Sequence, residues 1–225
     1  MVNMSNVRLN KKIFVWANRS AKNGCKNSVW KEINMFKDCG IYTLMDQETL
    51  DKDTCVKNIR IVLEEKFKNK WLSDVNRDEG KSGKGGNKLR MYKNFKKVCE
   101  PETYLNCIIG RNKKSAYAKF RCGVAPIRIE TGRYENLRIE ERLCPFCIGI
   151  VEDEVHVLTE CSLYIDMRDE LWKKIIESHP PSINMSRVDK YIFMMSAKEP
   201  WLISLCSKTC NDILTRRNYF LTCKL

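Results

Sequence analysis

Long apolar runs are missing from this sequence of 225 residues. No stretch approaches the roughly 18 to 20 consecutive apolar residues of a membrane-spanning helix, so an integral membrane protein is not expected. Residues 1–12 are polar and basic and lack the apolar centre of a secretory leader, so we expect an intracellular protein, nuclear or cytoplasmic. Because thiols stay reduced in those compartments, the twelve cysteines are expected as free thiols or metal ligands rather than as disulfides.

Histidine is also scarce, with only two in the chain. One of them completes the frame Cys-x2-Cys-x8-His-x4-Cys, formed by Cys144, Cys147, His156 and Cys161. A Cys-x2-Cys turn presents two thiolates to one ion, and a histidine and a cysteine about one helical turn apart close the other side. The spacing therefore predicts a metal site, with buried free cysteines as the alternative, since cysteine is among the most buried residue types.

The mixed set of three cysteines and one histidine favours Zn²⁺ over iron. Four protein ligands leave no open position for water or substrate, so the ion is predicted to be structural, and catalysis at the metal is not expected. Nine further cysteines are scattered without a framework of spacings. Cys206 and Cys210 are one helical turn apart, and without a neighbouring histidine they are expected to be core thiols.

The formal charge of +13 is concentrated in the first part of the chain. Residues 1–142 hold 31 Lys and Arg against 17 Asp and Glu, whereas residues 143–225 hold 10 against 11. The densest stretch, 81–121, predicts contact with a polyanion, most simply the RNA or DNA backbone, although a merely solvated basic face is the alternative. The candidate nucleic-acid-binding residues are Lys88, Arg90, Lys93, Lys96, Lys97, Arg111, Lys113, Lys114, Lys119 and Arg121.

Hydrophobic periodicity predicts a mainly α-helical protein in three parts. Residues 1–76 form a helical linker-like region, the glycine-rich segment 77–87 is a flexible tether, and residues 88–225 form a basic helical region with a small zinc-stabilised α(+β) domain and C-terminal helices. Helices are predicted at 28–38, 53–75, 88–98, 115–122, 162–179, 188–195 and 200–220, and a short strand at 126–132. Gly80-Lys81-Ser82 lacks the preceding glycine and strand of a phosphate-binding loop, so it belongs to the tether.

Two groups of residues allow different functional interpretations. Tyr92, Tyr117 and Phe120 stack on bases if they are exposed, but aromatic residues at helical spacing are expected in the core. Seven acidic residues follow the cysteine pair and suggest a second function, a zinc-stabilised protein-interaction module that uses an acidic surface. They are Glu152, Asp153, Glu154, Glu160, Asp166, Asp169 and Glu170.

Several segments from residue 88 onwards carry a resemblance to a known family. They are KLRMYKNFK from residue 88, the run from YLNCIIGRNKKSAYAKF to EERLCPFC, and EDEVHVLTECSLYIDMRDELW from residue 152. In content and order they resemble the C-terminal region of reverse transcriptases from non-LTR (LINE-like) retrotransposons, where a Cys-Cys-His-Cys motif follows the polymerase and its helical thumb. More weakly, KKIFVWANR and the helices around Trp30 and Trp71 resemble the linker before that motif.

This resemblance implies handling of RNA or DNA during target-primed reverse transcription, together with other retrotransposon machinery. A polymerase needs paired aspartates to hold two metal ions, and no Asp-Asp pair occurs in the sequence. Endonuclease and ribonuclease H carboxylate sets are not visible either. We therefore expect a zinc-binding, nucleic-acid-binding fragment without enzymatic activity, with no small-molecule substrate and no membrane partner.

Overall fold

The computed structural model describes residues 52–76 and 89–223, together with positions 19, 20, 23, 24, 26, 30, 31, 34 and 37. The chain divides into two compact units, Met1–Ser73 and Asp74–Leu225. Most of the predicted helix at 28–38 lies outside the described residues, although Trp30, Lys31, Asn34 and Lys37 are helical. The predicted tether at 77–87 also lies outside them.

The first continuous element is helix α1, Lys52–Asn76, which confirms the helix predicted at 53–75. Apolar residues recur along it at spacings of three and four, a pattern that is typical of a helix face packed into a core. Leu63 and Phe67 instead remain exposed, with relative accessibilities of 46% and 64%. Regular apolar spacing thus predicts the helix correctly, but at these two positions it does not produce burial.

The second unit is built from helices joined by short turns. The helices are α2 (Tyr92–Phe95), α3 (Thr103–Asn106), α4 (Arg111–Arg121), α5 (Arg128–Tyr134), α6 (Glu154–Thr159), α7 (Ile165–Ser178), α8 (Arg187–Met195) and α9 (Pro200–Thr222). Three 3₁₀ turns lie at Ile139–Glu141, Ser162–Tyr164 and Pro180–Asn184. The described residues contain no strand, only one isolated antiparallel bridge between Leu143 and Val151. The prediction of a mainly helical protein is confirmed.

Local sequence explains where the longer helices begin. Pro200 occupies the first turn of α9, where its missing N–H removes no intrahelical hydrogen bond. At the start of α8, the Ser186 side chain accepts a hydrogen bond from the backbone N–H of Asp189. The predicted helix at 88–98 is shorter than expected, because only Tyr92–Phe95 is helical.

Helices α4, α8 and α9 pack together to form the core of the second unit. The Tyr117 hydroxyl donates to the Met194 carbonyl at 2.6 Å, and the Tyr191 hydroxyl donates to the Phe120 carbonyl at 3.0 Å. These bonds satisfy buried hydroxyl groups while tying α4 to α8. Tyr117 and Phe120 are fully buried, so they are core residues, as expected, and not exposed stacking platforms.

The paired cysteines of α9 belong to the same core. Cys206 and Cys210 are both fully buried, which confirms the prediction that they are core thiols. Burial raises the pKa of the Cys206 thiol to about 12 and also raises that of Cys210. Both therefore act as small apolar groups at neutral pH.

The strand predicted at 126–132 is wrong, because the chain forms helix α5 there. The alternating isoleucines suggested a strand, but the backbone N–H of Arg128 donates to the carboxylate of Glu152 at 2.6 Å. The N–H of Ile129 donates to the Glu152 backbone carbonyl at 3.0 Å. A buried carboxylate thus satisfies the N-terminus of α5, and this tertiary contact outweighs the local preference.

Glu152 also forms a buried ion pair with helix α9. Its carboxylate accepts hydrogen bonds from Nη2 of Arg217 at 2.6 Å and from Nε at 3.2 Å. The two side chains have relative accessibilities of 0% and 4%. Glu152 therefore connects α5 and α9 to the start of α6. Helix α6 contains His156, one of the predicted metal ligands.

Candidate metal centre and cationic surface

The first half of the candidate metal centre is a tight loop. Leu143 and Val151 form the antiparallel bridge at its base, and the Cys144 N–H donates to the Ile150 carbonyl at 2.7 Å. Gly149 has a φ of +70°, a left-handed conformation that glycine adopts without steric cost. The loop therefore folds Cys144 and Cys147 towards the same point.

The second half consists of the short helix α6 and the two residues that follow it, Glu160 and Cys161. Asp153 caps the helix, because its side chain accepts the backbone N–H of His156 at 2.7 Å. The helix ends at Thr159, and the N–H of Cys161 donates to the His156 carbonyl at 2.8 Å. This bond holds the cysteine directly beyond the turn that contains the histidine.

The two halves converge on one point. One ligand atom from each of Cys144, Cys147, His156 and Cys161 can be chosen so that all four lie within 4.8 Å of one another. The Sγ of Cys161 lies 3.8 Å from that of Cys144 and 3.7 Å from that of Cys147. A tetrahedral ion with metal–sulfur bonds of about 2.3 Å requires sulfur–sulfur separations of about 3.8 Å. The predicted set of four is therefore a group that can hold a metal ion.

The imidazole of His156 gives a second indication of a ligand. The side chain is buried, and neither ring nitrogen has a hydrogen-bond partner among the described residues. The nearest carboxylate oxygen, on Glu160, is 3.8 Å from Nδ1, which is too long for a hydrogen bond. A buried imidazole normally pairs at least one nitrogen, and coordination of a metal ion satisfies that requirement.

The protonation states follow from burial and hydrogen bonding. Burial raises the pKa of the Cys144 and Cys161 thiols and lowers that of His156, which favours the neutral imidazole that coordinates metals. For Cys147, burial opposes ionisation, but hydrogen bonds from the hydroxyl and backbone of Ser162 outweigh it and lower the pKa. A bound cation would favour the thiolate form of all three cysteines.

Two residues that the sequence alone did not single out as functional support this centre. Ser162 Oγ lies 3.4 Å from Cys147 Sγ, and the buried guanidinium of Arg168 donates to the carbonyl of Cys161. Three thiolates and a divalent ion carry a net charge of about −1, which a buried guanidinium partly offsets. Arg168 lies in the first turns of α7, which begins four residues after Cys161.

The seven acidic residues expected beside the centre divide into buried and exposed members. Glu152 is buried against Arg217, and Glu154 is buried against Arg90, so neither carboxylate faces solvent. Asp153 caps α6. Glu160 and Asp166 pair with Arg187 and Arg216 respectively. Glu152 and Glu154 are therefore not available to a partner, whereas Glu160, Asp166, Asp169 and Glu170 remain on the surface.

The predicted nucleic-acid-binding residues separate into paired and unpaired cations. Arg90 pairs with Glu154, and Lys96 and Arg121 pair with Glu102. Lys97 and Lys114 donate to backbone carbonyls, Lys93 is partly exposed, and Lys88 lies outside the described residues. Arg111, Lys113 and Lys119 are exposed on α4 and form no ion pair with another described residue.

Arg121 is the clearest departure from its predicted role. It is 5% accessible, and Nη2 donates to Glu102 at 2.6 Å. Its guanidinium carbon lies 4.8 Å from the ring centre of Phe95, 5.3 Å from Tyr104 and 5.5 Å from Tyr117. A guanidinium enclosed by three rings is a structural cation–π contact and is not available to a phosphate.

Glu102 completes this cluster as its anion. Burial opposes ionisation of the carboxyl, but hydrogen bonds from the Tyr92 hydroxyl at 2.6 Å and from Arg121 outweigh it and lower its pKa. Burial and the hydrogen bond to Glu102 raise the pKa of Tyr92. The predicted basic face at 88–121 is therefore partly a neutralised structural cluster, and its free cations lie mainly on α4.

The chain matches no family model, no curated protein and no solved structure. Among the described residues, no helix combines the length and apolar character needed to cross a bilayer.

Proposed function

We propose that this protein is a zinc-stabilised module that binds nucleic acid through its phosphate backbone. The observation that carries the first part is the convergence of four ligand atoms within 4.8 Å of one another. Three sulfurs and one imidazole nitrogen are a donor set that suits Zn²⁺, and four protein ligands make the ion structural. In this proposal the metal joins the loop at Cys144 to helix α6 and stabilises a small zinc domain.

The second part concerns the unpaired cations of helix α4. Arg111, Lys113 and Lys119 face solvent, and the first turn of the helix contains no acidic residue to offset them. Cations near a helix N-terminus repel the positive end of the helix dipole, and an external anion relieves that repulsion. The overall charge of +13 and the resemblance to retrotransposon reverse transcriptases favour RNA or DNA as the anion.

We propose that the protein derives from the C-terminal region of a non-LTR retrotransposon reverse transcriptase and that it has no polymerase activity of its own. The sequence contains no adjacent pair of aspartates to hold catalytic metal ions. Its partners in this proposal are RNA, DNA and the retrotransposon machinery that acts on them.

The metal site is tested by substitution of its predicted ligands and by measurement of zinc content and melting temperature. Cys144→Ser and Cys161→Ser are expected to abolish stoichiometric zinc and to lower the melting temperature, because metal binding supplies folding free energy. Cys223→Ser is the matched control, since this exposed cysteine lies outside the cluster. Zinc content is measured by mass spectrometry of the purified protein. Unchanged zinc content and melting temperature in all three variants would refute the metal site.

Nucleic-acid binding is tested by its salt dependence. If the three unpaired cations each contact one phosphate of a single strand, the slope of log K against log salt is about −2. Affinity then falls about 20-fold between roughly 50 and 200 mM salt. Fluorescence anisotropy with a labelled oligonucleotide measures this slope. Absence of binding at the lower salt concentration would refute this part of the proposal, and a slope near zero would refute the phosphate contacts.

A further inference from the structure

A polar groove runs between helices α4 and α9. On α4 it is lined by Asn112, Ser115 and Lys119, which share one helix face at spacings of three and four residues. A second recess continues from Asn112 past the start of α4, along Arg111 and Lys113. The two recesses share Asn112 and Asn211, so they adjoin each other between α4 and α9.

The opposite wall repeats the pattern on α9. Asn211, Thr215 and Asn218 line it, again at spacings of four and three residues. Buried Ala116 and Leu214 form the floor. Among the described residues, no carboxylate lines either recess, although acidic residues are common elsewhere in this half of the chain.

The polar groups of the groove are available for a ligand. The side chains of Asn112, Ser115 and Asn218 are exposed and form no hydrogen bond with the described part of the chain. Amides and hydroxyls offer both donors and acceptors, which match the edges of bases and the hydroxyl groups of sugars. The cations at both ends, Arg111 and Lys119, match phosphates.

We propose that the groove between α4 and α9 holds a short stretch of single-stranded nucleic acid. This inference rests on the proposed function and assigns its binding site. From Arg111 to Lys119 the helix rises about 12 Å, the length of about three nucleotides at the rise of a duplex strand. The axes of packed helices lie about 8 to 10 Å apart and side chains fill that space, so the ligand lies over the floor formed by Ala116 and Leu214 and does not pass between the helices. A single strand is narrow enough to reach this floor, whereas a duplex, whose major groove alone is about 12 Å wide, rests on the rims.

Acidic peptides also carry negative charge, and their backbone amides can hydrogen-bond to the asparagines of the groove. The net charge of +13 and the cations at both ends of the groove favour a polyanion with regularly spaced charges. We therefore take a nucleic acid as the occupant, and a peptide becomes an outcome of the test.

The experiment compares groove variants with matched controls in the full chain. The probes are labelled oligo(dT) and oligo(U) of about 12 nucleotides and a duplex of equal length. Lys119→Glu is paired with Lys173→Glu, an equal charge change at an exposed site on α7. Ser115→Trp, which fills the groove without changing charge, is paired with Ser178→Trp at the exposed end of α7.

The wild-type protein is expected to bind single strands more tightly than the duplex. Ser115→Trp should lower single-strand affinity at least about tenfold, with an unchanged salt slope, because it removes space and not charge. Lys119→Glu should reduce the magnitude of the salt slope by about 0.7 or more, the value for one lost phosphate contact on a single strand. Both control variants should bind nearly as the wild type does, and unchanged zinc content confirms that each variant is folded.

The possible failures are distinguishable. If the wild type binds single strands and both groove variants equal their controls, the groove is overturned and the proposed function stands. Preference for the duplex, or equal competition by a polyglutamate peptide of similar charge, also overturns the groove. If the wild type binds no oligonucleotide even at low salt, the nucleic-acid part of the proposed function fails, and the groove assignment fails with it.

Discussion

Substitution of Arg217 by methionine tests the central ion pair of the second unit. Arg217 and Glu152 are both buried, and two of their hydrogen bonds measure 2.6 and 3.2 Å. Without the guanidinium, the Glu152 carboxylate stays buried with only the backbone N–H of Arg128 as a donor. Breaking one side of a buried pair costs about 3 to 5 kcal/mol, because the remaining charge has no counterion.

Thermal unfolding followed by circular dichroism measures this loss. For a protein of this size, 1 kcal/mol corresponds to about 2 to 4 °C, so Arg217→Met should lower the melting temperature by about 6 to 20 °C. The neighbouring Arg216→Met is the control, since Arg216 pairs with Asp166, whose side chain is 61% accessible. An exposed pair contributes about 0 to 1 kcal/mol, or at most about 4 °C.

A double variant separates the buried charge from simple loss of packing. Adding Glu152→Gln to Arg217→Met removes the uncompensated carboxylate and should recover part of the lost stability. Equal melting temperatures for Arg217→Met and Arg216→Met would refute the reasoning. Further destabilisation by the second substitution would show that the unpaired carboxylate is not the cause.

Three further predictions concern other parts of the second unit. Gly132→Ala places a Cβ 2.7 Å from the Arg142 side chain and should cost about 1 to 3 kcal/mol in chemical denaturation, whereas Gly110→Ala meets no atom within 4 Å and should cost less. Arg121→Gln should destabilise the fold by about 1 to 3 kcal/mol through its lost charge-assisted hydrogen bond and ring contacts, and the salt slope of oligonucleotide binding should not change, because this side chain is buried. Glu102 has a folded-state pKa below its unfolded value of about 4.3, so its ionised carboxylate stabilises the fold fully above that pH, and this stabilisation is lost as pH falls through the folded-state pKa. The wild type should therefore lose its stability advantage over Glu102→Gln on acidification. A constant difference in stability between the two proteins from pH 7 to 3 would contradict this prediction.

The cluster that can hold a metal ion was predictable because its geometry is mostly local. Cys144 and Cys147 lie on one turn, and His156 and Cys161 lie on one short helix and its end. Only the meeting of these two segments requires tertiary structure, and the donor spacing already indicates it. The prediction of a mainly helical chain is confirmed for a similar reason, since helical periodicity and capping residues act over a few positions.

The roles of the charged residues were not predictable in the same way. Glu154 pairs with Arg90 across 64 positions, and Glu152 pairs with Arg217 across 65. A sequence pattern shows acids near the metal frame but not which distant cation neutralises each one. The same limit explains the error at 126–132, where the buried carboxylate of Glu152 satisfies the start of a helix that local alternation does not predict.

The basic segment shows the limit of charge counting. Arg121 belongs to the densest cationic stretch, yet aromatic rings and Glu102 enclose it. Lys119, two residues earlier on the same helix, is exposed. Helix orientation against α9 decides between these roles, and this orientation depends on packing between distant segments.

X-ray absorption spectroscopy at the zinc edge tests the central claim most directly. Purified protein is predicted to contain one zinc ion with three sulfur neighbours at about 2.3 Å and one nitrogen at about 2.0 Å. His156→Cys should convert this shell to four sulfurs, and Cys161→Ser should abolish it. A wild-type protein without stoichiometric zinc, or a metal shell containing only oxygen and nitrogen, would contradict the account.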